Sequence, residues 1–129
     1  MRARALTIVV AAAAISLAFA GVALAYTQFQ MPSHKIVCGE VKGDAFTPGP
    51  YLRCDMLFLN DRAVLLTTKG RAKLVHVTDA IANPNTARVL PYGTTRHFGP
   101  FVCTSKTTGL YCRHGGHGFA ISRQFQQVY

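Results

Sequence analysis

Four cysteines, Cys38, Cys54, Cys103 and Cys112, occur in a chain of 129 residues, and their chemistry depends on the compartment that the chain reaches. In a reducing cytosol such residues serve as ligands or nucleophiles; outside it they oxidise, and an even number in a short chain reads as a disulfide framework. The N-terminus decides between the two. Met1-Arg-Ala-Arg4 is cationic, and Ala5 to Ala25 contains no charge and only Thr7 and Ser16 as polar side chains. This is the pattern of an export signal, with the small residues of Ala23-Leu24-Ala25 fitted to a signal peptidase and cleavage expected before Tyr26. The competing reading is an uncleaved membrane anchor, since about 20 apolar residues can span a bilayer. Alanine gains less from hydrocarbon than leucine, which weighs against the anchor. In both readings Arg2 and Arg4 hold the N-terminus inside and the globular part lies outside the cytoplasmic membrane, secreted or in the periplasm or cell envelope. No cysteine succeeds the apolar run to carry a lipid.

Residues 26–129 are expected to form one domain. Four cysteines allow three connectivities, and spacing favours Cys38 with Cys54 and Cys103 with Cys112, because each pair flanks a turn. A hairpin turning at Thr107-Thr108 sets Cys103 directly opposite Cys112, at a separation of about 4.5 Å in a non-hydrogen-bonded pair, within disulfide range. The first pair encloses a longer loop containing Gly43, Pro48, Gly49 and Pro50. Closing it restricts the unfolded chain by roughly 2 to 4 kcal/mol, a large share of a small domain's stability.

Short runs rich in β-branched and aromatic residues recur between Gly, Pro, Asn and Asp: Ile36 to Val41, Tyr51 to Met56, Ala63 to Thr68, Ala72 to Val77, Phe101 to Ser105, Leu110 to Arg113 and Gly118 to Arg123. Thr68-Lys69-Gly70-Arg71 is a hairpin tip between the third and fourth. The expected fold is mostly β: a small antiparallel sandwich or partly open barrel, disulfide-braced, with at most one short helix. That helix is expected over Thr78 to Ala82, capped by Thr78 and ended by Asn83-Pro84. Leu90-Pro-Tyr-Gly93 is a turn signature, with Pro91 at the second turn position and Gly93 in a conformation other residues avoid.

Met31-Pro-Ser33, Ile36-Val-Cys38, Leu52-Arg-Cys-Asp55, Leu90-Pro-Tyr-Gly93, Phe101-Val-Cys-Thr-Ser105, Gly109-Leu-Tyr-Cys112 and Gly116-His-Gly-Phe-Ala-Ile-Ser-Arg123 together resemble a family of small secreted bacterial domains of unknown function. The resemblance spans nearly all of 26–129 and is most specific in the C-terminal third. It implies no activity, and the recurrent residues look structural. Members of that family usually carry six cysteines. The middle pair is missing here, and His76 falls about where one of them would sit. Loss of both together implies that they bridge each other, which supports the pairing above. The Trp-Gly usual before the central hairpin is also absent.

Cys112-Arg-His114-Gly-Gly-His117 suggests zinc, yet oxidised cysteines are not ligands and the spacing matches no standard zinc motif, so no metal and no cofactor is expected. Asp44, Asp55, Asp61, Asp79 and Glu40 are scattered singly, without the paired carboxylates of glycoside hydrolysis. Ser33, Ser105 and Ser122 lack a nucleophile-elbow motif. No catalytic residue is assigned.

The whole chain has a net charge of +9; the first 25 residues hold two of its 14 basic residues and none of its 5 acids, so 26–129 carry +7. Such a charge favours anionic partners. Arg113, His114, His117 and Arg123, interleaved with Tyr111, Phe119, Phe125 and Tyr129, are the candidate binding residues, although Phe119, Ile121 and Phe125 alternate as core-facing positions would. The expected function is a secreted or envelope binding or structural protein, a monomer, with anionic cell-envelope components or another secreted protein as partner. Export takes the chain away from nucleic acid, so none is expected as a partner despite the basic and aromatic mixture. Two alternatives stand beside it: a metal-dependent hydrolase using His114 and His117, and a protein-interaction or inhibitor module presenting the tip Lys106 to Gly109.

Overall fold

The computed structural model describes residues 26–129; the export-signal reading of residues 1–25 and its cleavage point lie outside them. Eleven strands alternate with turns and no helix occurs among the described residues: β1 (Tyr26–Gln30), β2 (Ile36–Val41), β3 (Tyr51–Met56), β4 (Arg62–Thr67), β5 (Lys73–His76), β6 (Arg88–Val89), β7 (Thr95–Phe98), β8 (Phe101–Lys106), β9 (Gly109–His114), β10 (His117–Ile121) and β11 (Gln126–Val128). They form two sheets, ordered β5-β4-β3-β2-β1-β6 and β11-β10-β9-β8-β7. All pairings are antiparallel except β1 with β6. The sheets face each other as a sandwich, with β4 against β9 and β10, and do not close into a barrel.

Residues of one strand alternate between the two faces of its sheet, so the inner faces collect Phe29, Ile36, Leu52, Val64, Leu66, Phe101, Leu110, Phe119 and Ile121 into one buried core. Phe29 of the first sheet stacks on Phe98 of the second at 3.9 Å between ring centroids. Both disulfides lie in this core. Cys38–Cys54 and Cys103–Cys112 each join directly opposed residues of adjacent strands with Cα atoms 4.1 Å apart, the pairing that the turn positions predict. Oxidised, core-buried sulfurs belong to an oxidising compartment. No helix among the described residues is long and apolar enough to cross a membrane.

The expected runs Ile36 to Val41 and Tyr51 to Met56 form with those bounds, and the other five form with ends moved by one or two residues. The expected helix over Thr78 to Ala82 does not form. That stretch belongs instead to a strap, residues 77–87, which crosses the outer face of the first sheet from the β5 edge to the β6 edge. Parallel pairing of β6 on β1 demands such a crossover. Polar side chains on the sheet hold the strap down through its backbone, which removes the hydrogen bonds a helical turn would need. Asp55 Oδ2 accepts from the Ile81 N–H at 2.9 Å, Arg53 Nη2 donates to the Asp79 carbonyl at 2.6 Å, and Gln30 Nε2 donates to the carbonyls of Pro84 and Ala87, each at 2.7 Å. Val37, Ala82 and Ala87 form a small second core beneath it.

The turn at Leu90-Pro-Tyr-Gly93 is shifted by one residue from its expected register. Thr94 N–H donates to the Pro91 carbonyl, so Pro91 opens the turn and Gly93, at φ +84°, occupies the third position. The shift arises from Leu90, whose N–H is taken by the Gln30 carbonyl, which keeps Leu90 in line with β6.

Candidate functional site

At one end of the sandwich five chain segments converge: the turn after β1, the turn after β3, the Pro91–Thr94 turn, the β8–β9 tip and the turn after β10. Between them lies a cleft of about 320 Å³, lined by Met31, Ser33, Lys35, Ile36, Phe58, Tyr92, Lys106, Thr107, Gly109, Ser122, Arg123 and Gln124. Its floor is apolar and its rim is polar, the usual division of labour in a ligand site.

Each wall is fixed by local chemistry. The turn after β1 closes through Met31 N–H to the Ile36 carbonyl and His34 N–H to the Met31 carbonyl, with His34 at φ +59°. Gly93 N–H donates to the Ser105 carbonyl at 2.7 Å and Ser105 N–H to the Thr94 carbonyl at 2.9 Å, which ties the Tyr92 turn to the end of β8. Beneath it the buried Ser105 hydroxyl points at the Met31 sulfur, 3.3 Å away. The Ser122 hydroxyl accepts the N–H groups of Gln124 and Phe125, and the Phe125 ring leans on Tyr111 at 6.4 Å, so the turn carrying Arg123 is pinned to the second sheet. Gly109 sits at φ +151°, where a Cβ would meet the Ile121 carbonyl oxygen at 2.6 Å. Only glycine lets the tip approach β10 this closely.

The rim carries Lys35, Lys106 and Arg123, and none of the lining residues is acidic. Ion pairs among the described residues engage Lys42 and Arg53 but none of these three. The Lys106 ammonium rests 5.0 Å from the Tyr111 ring centroid, and Thr108 and Tyr111 share a hydroxyl hydrogen bond of 2.9 Å, so the tip is braced from its outer side. Tyr92 is 46% exposed and presents its ring at the cleft. This arrangement can hold a negatively charged group against an aromatic face.

The residues singled out in the sequence do not form one surface. Arg113, His114 and His117 lie around the β9–β10 turn, whereas Arg123 lies beyond the other end of β10, roughly 13 Å or more away by the rise of that strand. His114 and His117 are directly opposed across that turn; His114 is half-buried, edge-on to Phe101 at 5.9 Å, and His117 is exposed. No group of three or more His, Cys, Asp or Glu side chains suited to a metal occurs among the described residues. The tip Lys106 to Gly109 borders the cleft. Lys35, Phe58, Ser122 and Gln124 carry no sequence signal as site residues, because the cleft exists only where distant loops meet.

A second groove, of about 480 Å³, lies beside the turn after β3 and contains Asp55, Asp61 and Asp79. Two of these carboxylates are already committed: Arg53 Nε lies 2.7 Å from Asp55 Oδ1 and its Nη1 lies 2.8 Å from Asp79 Oδ1. The guanidinium holds the Asp79 carboxyl below its usual range by hydrogen bonding and by charge. This groove therefore serves the strap. No family model matches the chain, and no curated protein and no solved structure matches it either.

Proposed function

We propose that this protein is an exported, non-catalytic binding domain that captures anionic polymer of the cell envelope in the cleft at the Lys106 end. The observation that carries the reading is the rim of Lys35, Lys106 and Arg123 above an apolar floor, with no acidic side chain among the described residues that line the cleft. Buried disulfides and the apolar leader-like segment of residues 1–25 support a site of action outside the cytosol. The reading is compatible with membership of the small secreted bacterial domains that the sequence resembles. The tip at Lys106 to Gly109 belongs to the same rim, so a partner reaching the tip would meet the same charges.

Retention on dextran sulfate and on isolated envelope fragments tests it. Binding should fall steeply as salt rises toward about 1 M, where charges more than about 3 Å apart are screened. Replacing Lys35, Lys106 and Arg123 together by glutamine should abolish retention without lowering the melting temperature, because all three side chains are exposed. Retention that ignores both salt and these substitutions refutes the proposal.

A further inference from the structure

The opposite end of the sandwich is built differently. Here the β2–β3 connection, residues 42–50, projects as a loop whose tip residue Phe46 is 97% exposed. This exposure is imposed by a braced backbone. Asp44 Oδ1 accepts the N–H groups of Phe46 and Thr47 at 2.9 and 2.7 Å, its Oδ2 accepts the Tyr51 hydroxyl at 2.7 Å, and Asp44 N–H donates to the Thr47 carbonyl. At the base, Gly43 and Gly49 touch so closely that a Cβ on Gly43, at φ +135°, would meet the Gly49 nitrogen at 2.8 Å. The loop thus holds a large apolar ring in water, a position that is unfavourable unless something covers it.

Two observations identify the cover. Lys42, Lys69, Arg71 and Lys73 are exposed at this end, with Asp44 as the exposed acid among them, and Lys69 lines a groove with Thr47, Pro48, Gly49 and Pro50 of the loop itself. An apolar tip ringed by cations matches the boundary of an anionic bilayer, where hydrocarbon lies just beneath phosphate. Secondly, the apolar stretch of residues 5–25 leads directly into β1, and Tyr26 pairs with Val41 beside the start of this loop. The chain therefore leaves its most lipid-compatible segment at the end that presents Phe46.

We infer that the Phe46 end is a membrane-facing surface, with Phe46 entering the interface of an anionic bilayer and the surrounding lysines meeting its headgroups. The cleft then points away from the membrane. This rests on the loop and stands independently of what the cleft binds.

The chain contains no tryptophan, so a single Phe46→Trp substitution in the full-length protein supplies a unique reporter. Its emission should move to shorter wavelength, and be quenched by lipids brominated in their chains, when phosphatidylglycerol-containing vesicles are added, and neither change should occur with phosphatidylcholine alone. Tyr92→Trp, at the cleft end, should keep its solvent-exposed emission. In the same vesicles Lys69→Gln and Lys73→Gln should each weaken partitioning about five-fold, and Phe46→Ser about ten-fold. Lys42 is left unchanged, since its ammonium, 3.1 Å from Oε1, neutralises the buried Glu40. An unmoved Phe46→Trp signal overturns the inference even if vesicles capture the protein, because capture would then come from residues 1–25. Equal shifts at both positions overturn it too.

Discussion

Two hairpins of this sandwich share a plan and differ in everything beyond it. β2–β3 and β8–β9 each carry a disulfide between directly opposed residues, turned into the core, and the two point in opposite directions. The β8–β9 hairpin turns in two residues, Thr107 and Thr108, and its tip is fastened to Tyr111 and to β10. The β2–β3 hairpin turns through residues 42–50, fastened mainly to itself through Asp44. A bridge three residues from a tight turn makes the tip an extension of the sheet and a dependable wall for a concave site. A bridge at the base of a long loop leaves the loop to find its own rigidity, and such a loop can project. The same covalent device therefore supports a recess at one end and a protrusion at the other.

The comparison can be broken most directly at the sulfurs. Replacing Cys38 and Cys54 by alanine should lower unfolding free energy in urea by about 3 kcal/mol, and replacing Cys103 and Cys112 by slightly less, because the closed loop is shorter. An inverted order would show that native packing, not loop closure, sets the difference. Next in size, Gly109→Ala should lower global stability by about 2 kcal/mol, through its positive φ and the collision with the Ile121 carbonyl. Gly43→Ala meets a comparable obstacle, yet should chiefly expose the 42–50 backbone to hydrogen exchange while leaving the core protected. Equal protection loss across the core in both variants would erase the distinction between the hairpins.

A smaller effect is expected at the recess. The pair Lys106→Gln and Arg123→Gln should reduce dextran sulfate affinity about ten-fold at low salt, near 0.7 kcal/mol for each charge, and reduce Phe46-dependent vesicle binding not at all. The smallest concerns the strap. Arg53 depresses the Asp79 carboxyl below its ordinary value of 3.8. Its contribution is therefore complete above that value and lost as pH falls through the lower folded one. Because Asp79 is 77% exposed in its side chain, the loss should stay below about 1 kcal/mol. Asp79→Asn should correspondingly flatten the melting temperature between about pH 4 and about pH 2, and a profile as steep as that of the parent would remove the role assigned to this ion pair.

Much of the fold is legible because its signals are local. Alternation in Ile36–Val41 and Tyr51–Met56, and the position of Thr107-Thr108 between Cys103 and Cys112, report faces and turns within a few residues. Strands without such signals escape. Thr95–Phe98 is an edge strand with three exposed residues, Gln126–Val128 is largely polar, Arg88–Val89 is two residues long, and Tyr26–Gln30 adjoins the apolar N-terminal run. Thr78 to Ala82 defeats a local reading because its conformation is dictated by Arg53, Asp55 and Gln30, residues on other strands. The cleft is the least legible, since Lys35, Tyr92, Lys106 and Arg123 become neighbours only when the strand ends of both sheets align. Arg123 and the Lys106 tip each stand out alone, for charge and for turn. Nothing in their spacing joins them.

Both bridges connect cysteines that are consecutive in the chain, Cys38 to Cys54 and Cys103 to Cys112. A polypeptide emerging N-terminus first meets its correct sulfur partner before any wrong one has arrived. The first hairpin can oxidise while the second is still being made, and the second then finds no other free thiol in its own chain. Maturation thus requires an oxidant and no reshuffling of mismatched bonds, an economical route for a protein that must finish folding where chaperone assistance is sparse.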